Sequence, residues 1–450
     1  ASLRDDANLP RRTHEAIHAR QSKTGKAIRV LDENGSDGNG DAVIVAGVMS
    51  GTSADGVNVA LIRIGSPAKK NRSGGSARRR SRSAPNPPTF ELIGHAEYLY
   101  AKGVRRAVLA AMNAPKASVA DLSRLNFVLG ELYAEAIVAA QKEFRVKAQL
   151  VGCHGQTIYH QGEAARYLGK SVAVTWQIGE GSVVAARVGV PCVSDFRPAD
   201  MAVGGKGAPL VPFLDYFLYR DARVGRIAQN IGGIANLTSI PKNAALEDVV
   251  AFDTGPGNMV IDQLTERLYG KSYDRNGEIA ANGVVNEGVL TKLMRLPFFK
   301  KAPPKTAGRE EFGTEFVDRF LAQCGRARKQ DLVATATAFT ARSIADAVQR
   351  FVIKKRGGRH EMVVSGGGAK NSALMALLAN ALWPLGVTLR FSDEFGIPTE
   401  AKEAVAFALL AYETWHGRPS NVPSATGAKQ AAVLGKISLV DGQWSLGSHE

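Results

Sequence analysis

Residues 42–64 read AVIVAGVMSGTSADGVNVALIRI, and this stretch decides the fold. Ala42 to Val48 is an apolar run rich in β-branched residues, and Val57 to Ile64 alternates apolar and polar. Two such runs about a short Gly/Ser/Thr tip predict a β-hairpin. At the tip lies Gly51-Thr52-Ser53-Ala54-Asp55-Gly56. Glycines there expose backbone N–H groups, and the Thr52 and Ser53 hydroxyls can donate to phosphate oxygens. Asp55 can hold Mg²⁺ directly or through water. A plain tight turn explains the same residues, so the loop alone decides nothing.

Outward from this hairpin the chain alternates strand-rich and helix-rich blocks. Residues 90–100 predict a further strand, 118–145 a helix, 149–153 a short buried strand, 180–189 a helix and 191–194 another short strand. A second hairpin follows at 226–240, where RIAQNI and ANLTSI flank Gly232 and Gly233. Helices then dominate from 256 to 353, interrupted by the Pro-containing stretch 297–306. Met362 to Ser365 is a strand running into Gly366, Gly367 and Gly368 ahead of a helix near Asn371, and 400–416 is an apolar-faced helix. Strand blocks that occur twice, each followed by helices, imply two α/β halves.

Length and composition agree. The chain has 450 residues, 45% hydrophobic and 22% charged, which is a globular composition and too long for one core. No apolar run reaches the ~18 residues of a membrane span, so no membrane partner is expected. Cys153, Cys192 and Cys324 are too few and too scattered for a disulfide framework or a structural zinc site, and suit a reducing, cytoplasmic setting. The net charge of +15 suggests a nucleic-acid partner until it is located. Seven of those charges sit in 66–89, SPAKKNRSGGSARRRSRSAPNPPT, which holds no acid and cannot build a core. The segment reads as a solvated, disordered basic insertion, so nucleic acid is not expected as a partner. A phosphate-rich or membrane-surface contact is the other reading of it. Residues 1–41 carry mixed charge and no apolar signal region, and read as a polar extension.

Several further motifs can carry chemistry. Asn230-Ile231-Gly232-Gly233-Ile234-Ala235-Asn236 repeats the logic of the first tip, although a Gly-Gly hairpin turn also explains it. Two such hairpins can clamp a polyphosphate from both sides. In Phe252-Asp253-Thr254-Gly255-Pro256-Gly257-Asn258 an acid ends a strand and a Gly/Pro turn opens a helix. That suits a metal–phosphate group at a helix N-terminus, or simply a cap made by Asp253 or Thr254. Gly366 to Gly368 is not GxGxxG, so a dinucleotide fingerprint is not indicated. His154-Gly155-Gln156-Thr157 ends a strand, and His154 reads equally as a structural histidine. Asp195 is a candidate general base, or merely the ion-pair partner of Arg197. GGKGAP at 204–209 is a flexible loop before a helix, and Glu403 reads as exposed.

Together the strings GVMSGTSADGVNVAL, GCHGQTIYH, QIGEG, VSDFRPADMAVGGKGAPLVP, QNIGGIANLT, FDTGPGNM, PPKTAGREEF, SGGGAKN and AKEAVAFALLAY closely resemble one family, the anhydro-N-acetylmuramic acid kinases. They run in family order from about Ala42 to about Lys436. The resemblance implies an α/β, two-domain sugar kinase/actin-like (ribonuclease H-like) fold with a nucleotide cleft between the domains. One domain would span 42–222 and be completed by 400–440; the other would span 223–399. It implies ATP and Mg²⁺ as cofactors, an anhydro sugar as substrate and a homodimer. The implied reaction opens a 1,6-anhydro ring with water and phosphorylates O6, giving N-acetylmuramic acid 6-phosphate in cell-wall recycling.

Carried over residue by residue, the resemblance makes Asp195 the general base. It assigns Gly51, Thr52, Ser53, Ala54, Asp55, Gly56, Val57 and Asn58 to the ATP phosphate loop, Asn230, Gly232 and Gly233 to the second phosphate hairpin, and Gly366, Gly367 and Gly368 to the adenosine site. His154, Gln156, His160 and Glu403 fall near the sugar, while Asp55 and Asp253 are candidate metal holders on the reading of the residues given above. Two features depart from the pattern. Asn58 stands where the family carries Asp, which removes a charge, and the insertion at 66–89 is extra. A kinase of another 1,6-anhydro sugar such as levoglucosan would share these motifs. A pocket for the substrate's carboxylate would separate the two.

Overall fold

The computed structural model describes residues 42–51, 53–65, 89–353 and 358–440, and the backbone of 17–20. Thr52 and 66–88 of the basic insertion lie outside the described residues, as does all of 1–41 other than 17–20.

Thirteen strands form two sheets among the described residues. In chain order they are β1 (Ile17–Arg20), β2 (Val43–Ser50), β3 (Gly56–Gly65), β4 (Thr89–Tyr100), β5 (Leu150–Tyr167), β6 (Lys170–Ile178), β7 (Cys192–Ser194), β8 (Gly225–Ile231), β9 (Ile234–Ile240), β10 (Val250–Pro256), β11 (His360–Ser365), β12 (Val387–Phe391) and β13 (Lys436–Ser438). The first sheet has the order β1-β4-β3-β2-β5-β7-β13, with β6 paired to β5, and the second has β10-β9-β8-β11-β12.

The two sheets repeat one plan. In the first, β2, β3 and β4 pair antiparallel, then β5 returns parallel to β2 and β7 parallel to β5. In the second, β8, β9 and β10 pair antiparallel, then β11 returns parallel to β8 and β12 parallel to β11. A parallel return requires a crossover, and helices supply it. Val119–Phe144 precedes β5 and Ser372–Leu382 precedes β12.

The helix Lys402–Trp415 is buried around almost its whole circumference, as an element between two layers must be. One cluster of buried side chains runs from Val45 and Ile62 of the first sheet, through Phe213, Phe407 and Leu410, to Ala228 and Val363 of the second. The helix reaches the first sheet only because two strand positions lack a side chain. A Cβ on Gly47 would lie 1.8 Å from the Ala404 carbonyl oxygen, and one on Gly152 would lie 2.2 Å from that of Phe407.

Several elements differ from the sequence reading. Ile17–Arg20, within the stretch read as an extension, adds β1 antiparallel to β4. The strand read at 149–153 continues to Tyr167 and pairs with β6, which was not anticipated. Beyond Tyr159 no residue of β5 is fully buried, so its sequence lacks the alternation that marks a half-buried strand. β12 was also missed, since only Val387 of its five residues is buried.

Candidate active site

A cavity of about 540 Å³ opens between the two sheets. Ser53, Asp55 and Asn58 border it from the first sheet, Asn230, Asp253 and Gly366 from the second, and Arg197 and Glu403 from helices.

The β2–β3 tip is braced from below. Gln156 Nε2 donates to the Gly51 carbonyl at 3.2 Å, and Ser50 Oγ lies 2.7 Å from Gln156 Oε1. Gln156 is completely buried, so it supports the loop and does not border the cavity, contrary to the sugar-side assignment. Ala54 and Val57 are likewise fully buried and do not border the cavity, and the Ala54 N–H donates to the Gly51 carbonyl at 3.1 Å. Gly51, Ser53, Asp55 and Gly56 all border the cavity. The Asp55 carboxylate accepts from Arg105 Nε at 3.0 Å. Asn58 lies 2.9 Å, Oδ1 to Nε2, from His95, whose pKa burial pushes below the ordinary value. The neutral amide thus faces a largely neutral imidazole.

In the second half, Asn230 and Asn236 sit opposite one another across β8 and β9, and both border the cavity. Gly232 and Gly233 do not. Their carbonyls accept the N–H groups of Asn258 (2.7 Å), Gly257 (2.9 Å) and Met259 (3.0 Å). The N-terminus of Met259–Tyr269 therefore gives these donors to the hairpin, and the expectation that they would be free is corrected. Neither Asp253 nor Thr254 caps that helix. Thr254 Oγ1 donates to the Ala235 carbonyl, and Asp253 Oδ2 accepts from the Ala307 N–H at 2.7 Å. Burial raises the Asp253 pKa to about 6. Gly366 adopts φ +88°, and a Cβ there would lie 2.6 Å from the Ile231 carbonyl oxygen, so only glycine fits. Gly367 and Gly368 do not border the cavity; Gly368 packs beneath on Ile231.

Lys305 and Thr306 border the cavity too, and sequence reasoning gave Lys305 no role. Its ammonium lies 4.5 Å from the Phe298 ring centroid and 5.2 Å from that of Phe351. Burial in that aromatic box lowers its pKa to about 8. The string PPKTAGREEF, quoted for the resemblance, contained it.

Asp195 ends β7 with φ 54°, in the left-handed region, at the start of helix Phe196–Ala202. Its Oδ2 lies 3.0 Å from Lys436 Nζ, so its ion-pair partner is Lys436 and not Arg197. It does not border the cavity. Arg197 turns inward instead: Nε donates to His154 Nε2 at 3.0 Å and Nη1 to the Gly207 carbonyl at 2.7 Å. Because Arg197 Nε can only donate, His154 Nε2 must accept and Nδ1 must carry the proton, which it gives to the Gly155 carbonyl at 2.8 Å. Burial, and then the Arg197 charge, hold the His154 pKa well below its ordinary value. His154 is thus a neutral support for Arg197 and does not border the cavity. His160 is exposed, 3.0 Å from Thr175 Oγ1, and also off the cavity wall. Glu403 is the one exposed residue in an otherwise buried run, but its exposure is to the cleft, and burial among protein atoms raises its pKa.

Two halves of one repeated plan meet at a cavity bordered by residues of both hairpins. The family model described as "Anhydro-N-acetylmuramic acid kinase" matches residues 43–439. A protein of that name from Bacillus cereus is 42% identical over 398 residues, covering 88% of this chain and 99% of its own length. One from Bacillus anthracis is 41% identical over 398 residues with the same coverage. Among solved structures, a ROK hexokinase from Thermus thermophilus is 12% identical with a TM-score of 0.36, covering 82% of this chain and 98% of that one. The chain belongs to the anhydro-N-acetylmuramic acid kinase family.

Proposed function

We propose that the chain uses ATP and water to convert 1,6-anhydro-N-acetylmuramic acid to N-acetylmuramic acid 6-phosphate. The observation that carries this reading is the shared cavity. Ser53, Asp55, Asn230, Asp253 and Gly366 border it together with Arg197 and Glu403, so phosphate-side and sugar-side groups meet in one space. The reading treats 42–222 with 400–440 as one lobe and 223–399 as the other, working as a homodimer in the cytoplasm.

Asp195 is the proposed base. It takes a proton from the water that attacks C1; the C1–O6 bond breaks, O6 attacks the γ-phosphorus of ATP, and the bond from that phosphorus to the bridging oxygen breaks as ADP leaves. Its left-handed backbone supports this role, since strained non-glycine residues collect at functional sites. Acting as base requires release from Lys436, which closure of the cleft on the sugar would bring about. Asp253, with Asp55 once Arg105 lets go, would hold Mg²⁺. A carboxyl lifted by burial gains from a nearby cation. No cluster of three metal-binding side chains exists among the described residues, which suits a metal held by one or two carboxylates and by the substrate's phosphates. When bound, Mg²⁺ offsets charge on the transferring phosphoryl group.

The test is coupled ADP release with anhydro-N-acetylmuramic acid, beside levoglucosan and beside Asp195→Asn. Release with the muramic sugar only, lost in the variant, is the expected result. Turnover of levoglucosan alone would reject the substrate, and full activity of Asp195→Asn would reject the base.

A further inference from the structure

We propose that Lys305 is a positioning residue: its enclosed ammonium fastens 305–307 around the edge of β10, so that one oxygen of Asp253 is capped and the other faces the cleft. The inference rests on the reading above only in giving that open oxygen a metal.

β10 is an edge strand of the second sheet, so one side of its backbone has no strand partner. The segment takes that side, where the Asp253 N–H donates to the Lys305 carbonyl at 3.0 Å. Successive side chains of a strand leave on opposite faces. Phe252 is buried, whereas Asp253 borders the cavity, and the segment reaches both. On the cavity side the Ala307 N–H caps Asp253 Oδ2 at 2.7 Å. On the buried side the Lys305 ammonium lies 5.9 Å from the Phe252 ring centroid and 6.0 Å from that of Phe299, with Phe298 and Phe351 nearer still. Asp253 Oδ1 has no partner among the described residues and is not among the sealed unpartnered atoms. The carboxylate is thus turned so that only Oδ1 is free.

The charge on this side chain needs a reason. Lys305 is 5% exposed, and no carboxylate lies within ion-pair distance of it among the described residues. An apolar side chain would fill the box without the cost of taking a charge out of water. What the ammonium adds is direction. It is drawn to the faces of the rings, and it lies 3.5 Å from the Phe298 carbonyl oxygen. Those rings come from three pieces of chain, β10, the helix Pro297–Lys300 and the helical turn Val348–Val352. One ammonium therefore ties the segment to all three. The far end is tied as well, since the Gly308 N–H donates to Glu311 Oε2 at 2.9 Å. With its charge spent on the rings, the ammonium is not offered to the cleft, although the residue borders it.

The first test is hydrogen exchange of the full chain without nucleotide or metal. Opening of the clamp frees the Asp253 and Ala307 amides. A desolvated cation–π contact corresponds to roughly three- to thirty-fold in an equilibrium constant, so Lys305→Met should speed exchange at both amides by about that factor. Amides of β8 and β11 should keep their protection. Lys305→Arg keeps a cation for the rings and should show a smaller change. Unchanged exchange at the two amides in Lys305→Met would overturn the proposal. So would a uniform rise across the second sheet, which would mean a general loss of packing. The second test is calorimetric titration with a non-hydrolysable ATP analogue, with and without Mg²⁺. Lys305→Met should lose affinity only when Mg²⁺ is present, and adding it to Asp253→Asn should cost nothing further. An equal loss with and without Mg²⁺ would overturn the proposal, since Lys305 would then touch the nucleotide itself. Wild-type binding that Mg²⁺ leaves unchanged, beside faster exchange in Lys305→Met, would keep the clamp and reject the metal role given to Asp253.

Discussion

Lys402→Met tests the buried junction between the halves. Lys402 Nζ lies 2.6 Å from Asp215 Oδ1, and the two side chains are only 9% and 4% exposed. Asp215 Oδ2 accepts from Thr238 Oγ1 at 2.8 Å. The Lys402–Asp215–Thr238 chain thus ties the helix Lys402–Trp415 to Pro212–Tyr219 and to β9 of the second sheet. Removing the ammonium leaves a buried carboxylate with one hydroxyl partner, which costs about 3–5 kcal/mol. The variant should therefore be destabilised by about 3–5 kcal/mol. Urea unfolding measures this, and adding Asp215→Leu should restore most of the loss. A loss under about 1 kcal/mol, or one that Asp215→Leu leaves unrestored, would refute the buried-charge argument.

Asn58→Asp should raise the pKa of His95, since the amide oxygen 2.9 Å from Nε2 becomes an anionic one. In the wild type burial lowers that pKa, so the unfolded chain binds the proton more readily and stability falls as pH drops below about 6.5. In the variant the new carboxylate favours the protonated ring, so stability should fall less steeply than in the wild type as pH drops. Titration of the His95 ring by NMR reads the shift directly, and an unchanged or lower pKa would contradict it. Gly47→Ala drives a Cβ into the Ala404 carbonyl at 1.8 Å and should lower the melting temperature by many degrees. Gly103→Ala, in the helix Lys102–Ala111 with open space around it, should be neutral or stabilise by up to about 1 kcal/mol. Equal melting temperatures for the two variants would show that the helix is not seated on the sheet as described.

The hairpins were legible because each pairs two apolar runs across a glycine tip, a purely local signal. The second-sheet hairpin at 226–240 appears as β8 and β9 with Gly232 and Gly233 between them. What escaped depends on long-range partners. Nothing local shows that Lys402, in an apolar helix, meets Asp215, or that Gln156 reaches back to Gly51. His154 illustrates the same limit. The residues alone suited a structural histidine and the resemblance placed it near the sugar; its partner in the structure is Arg197, met only once β5 and the Phe196–Ala202 helix are brought together.

The two tips also show what a glycine-rich loop must do to receive an anion, which the motif does not reveal. A phosphate is repelled by carbonyl oxygens and attracted by N–H groups, so a useful loop must turn its carbonyls away. Here protein donors take them. In the first tip, the Gly51 carbonyl accepts from Gln156 Nε2 and the Ala54 N–H, and the Asp55 carbonyl from the Tyr100 N–H. In the second, the Gly232 and Gly233 carbonyls are held by the first N–H groups of the following helix, and the Ile231 carbonyl by Asn258 Nδ2 at 3.3 Å. The helix N-terminus that the sequence offered as an anion site acts one step removed: it spends its donors on the hairpin. If the proposed phosphate site is right, Gln156 and Asn258, which hold these carbonyls, belong to it as much as the glycines, although neither has to touch the nucleotide.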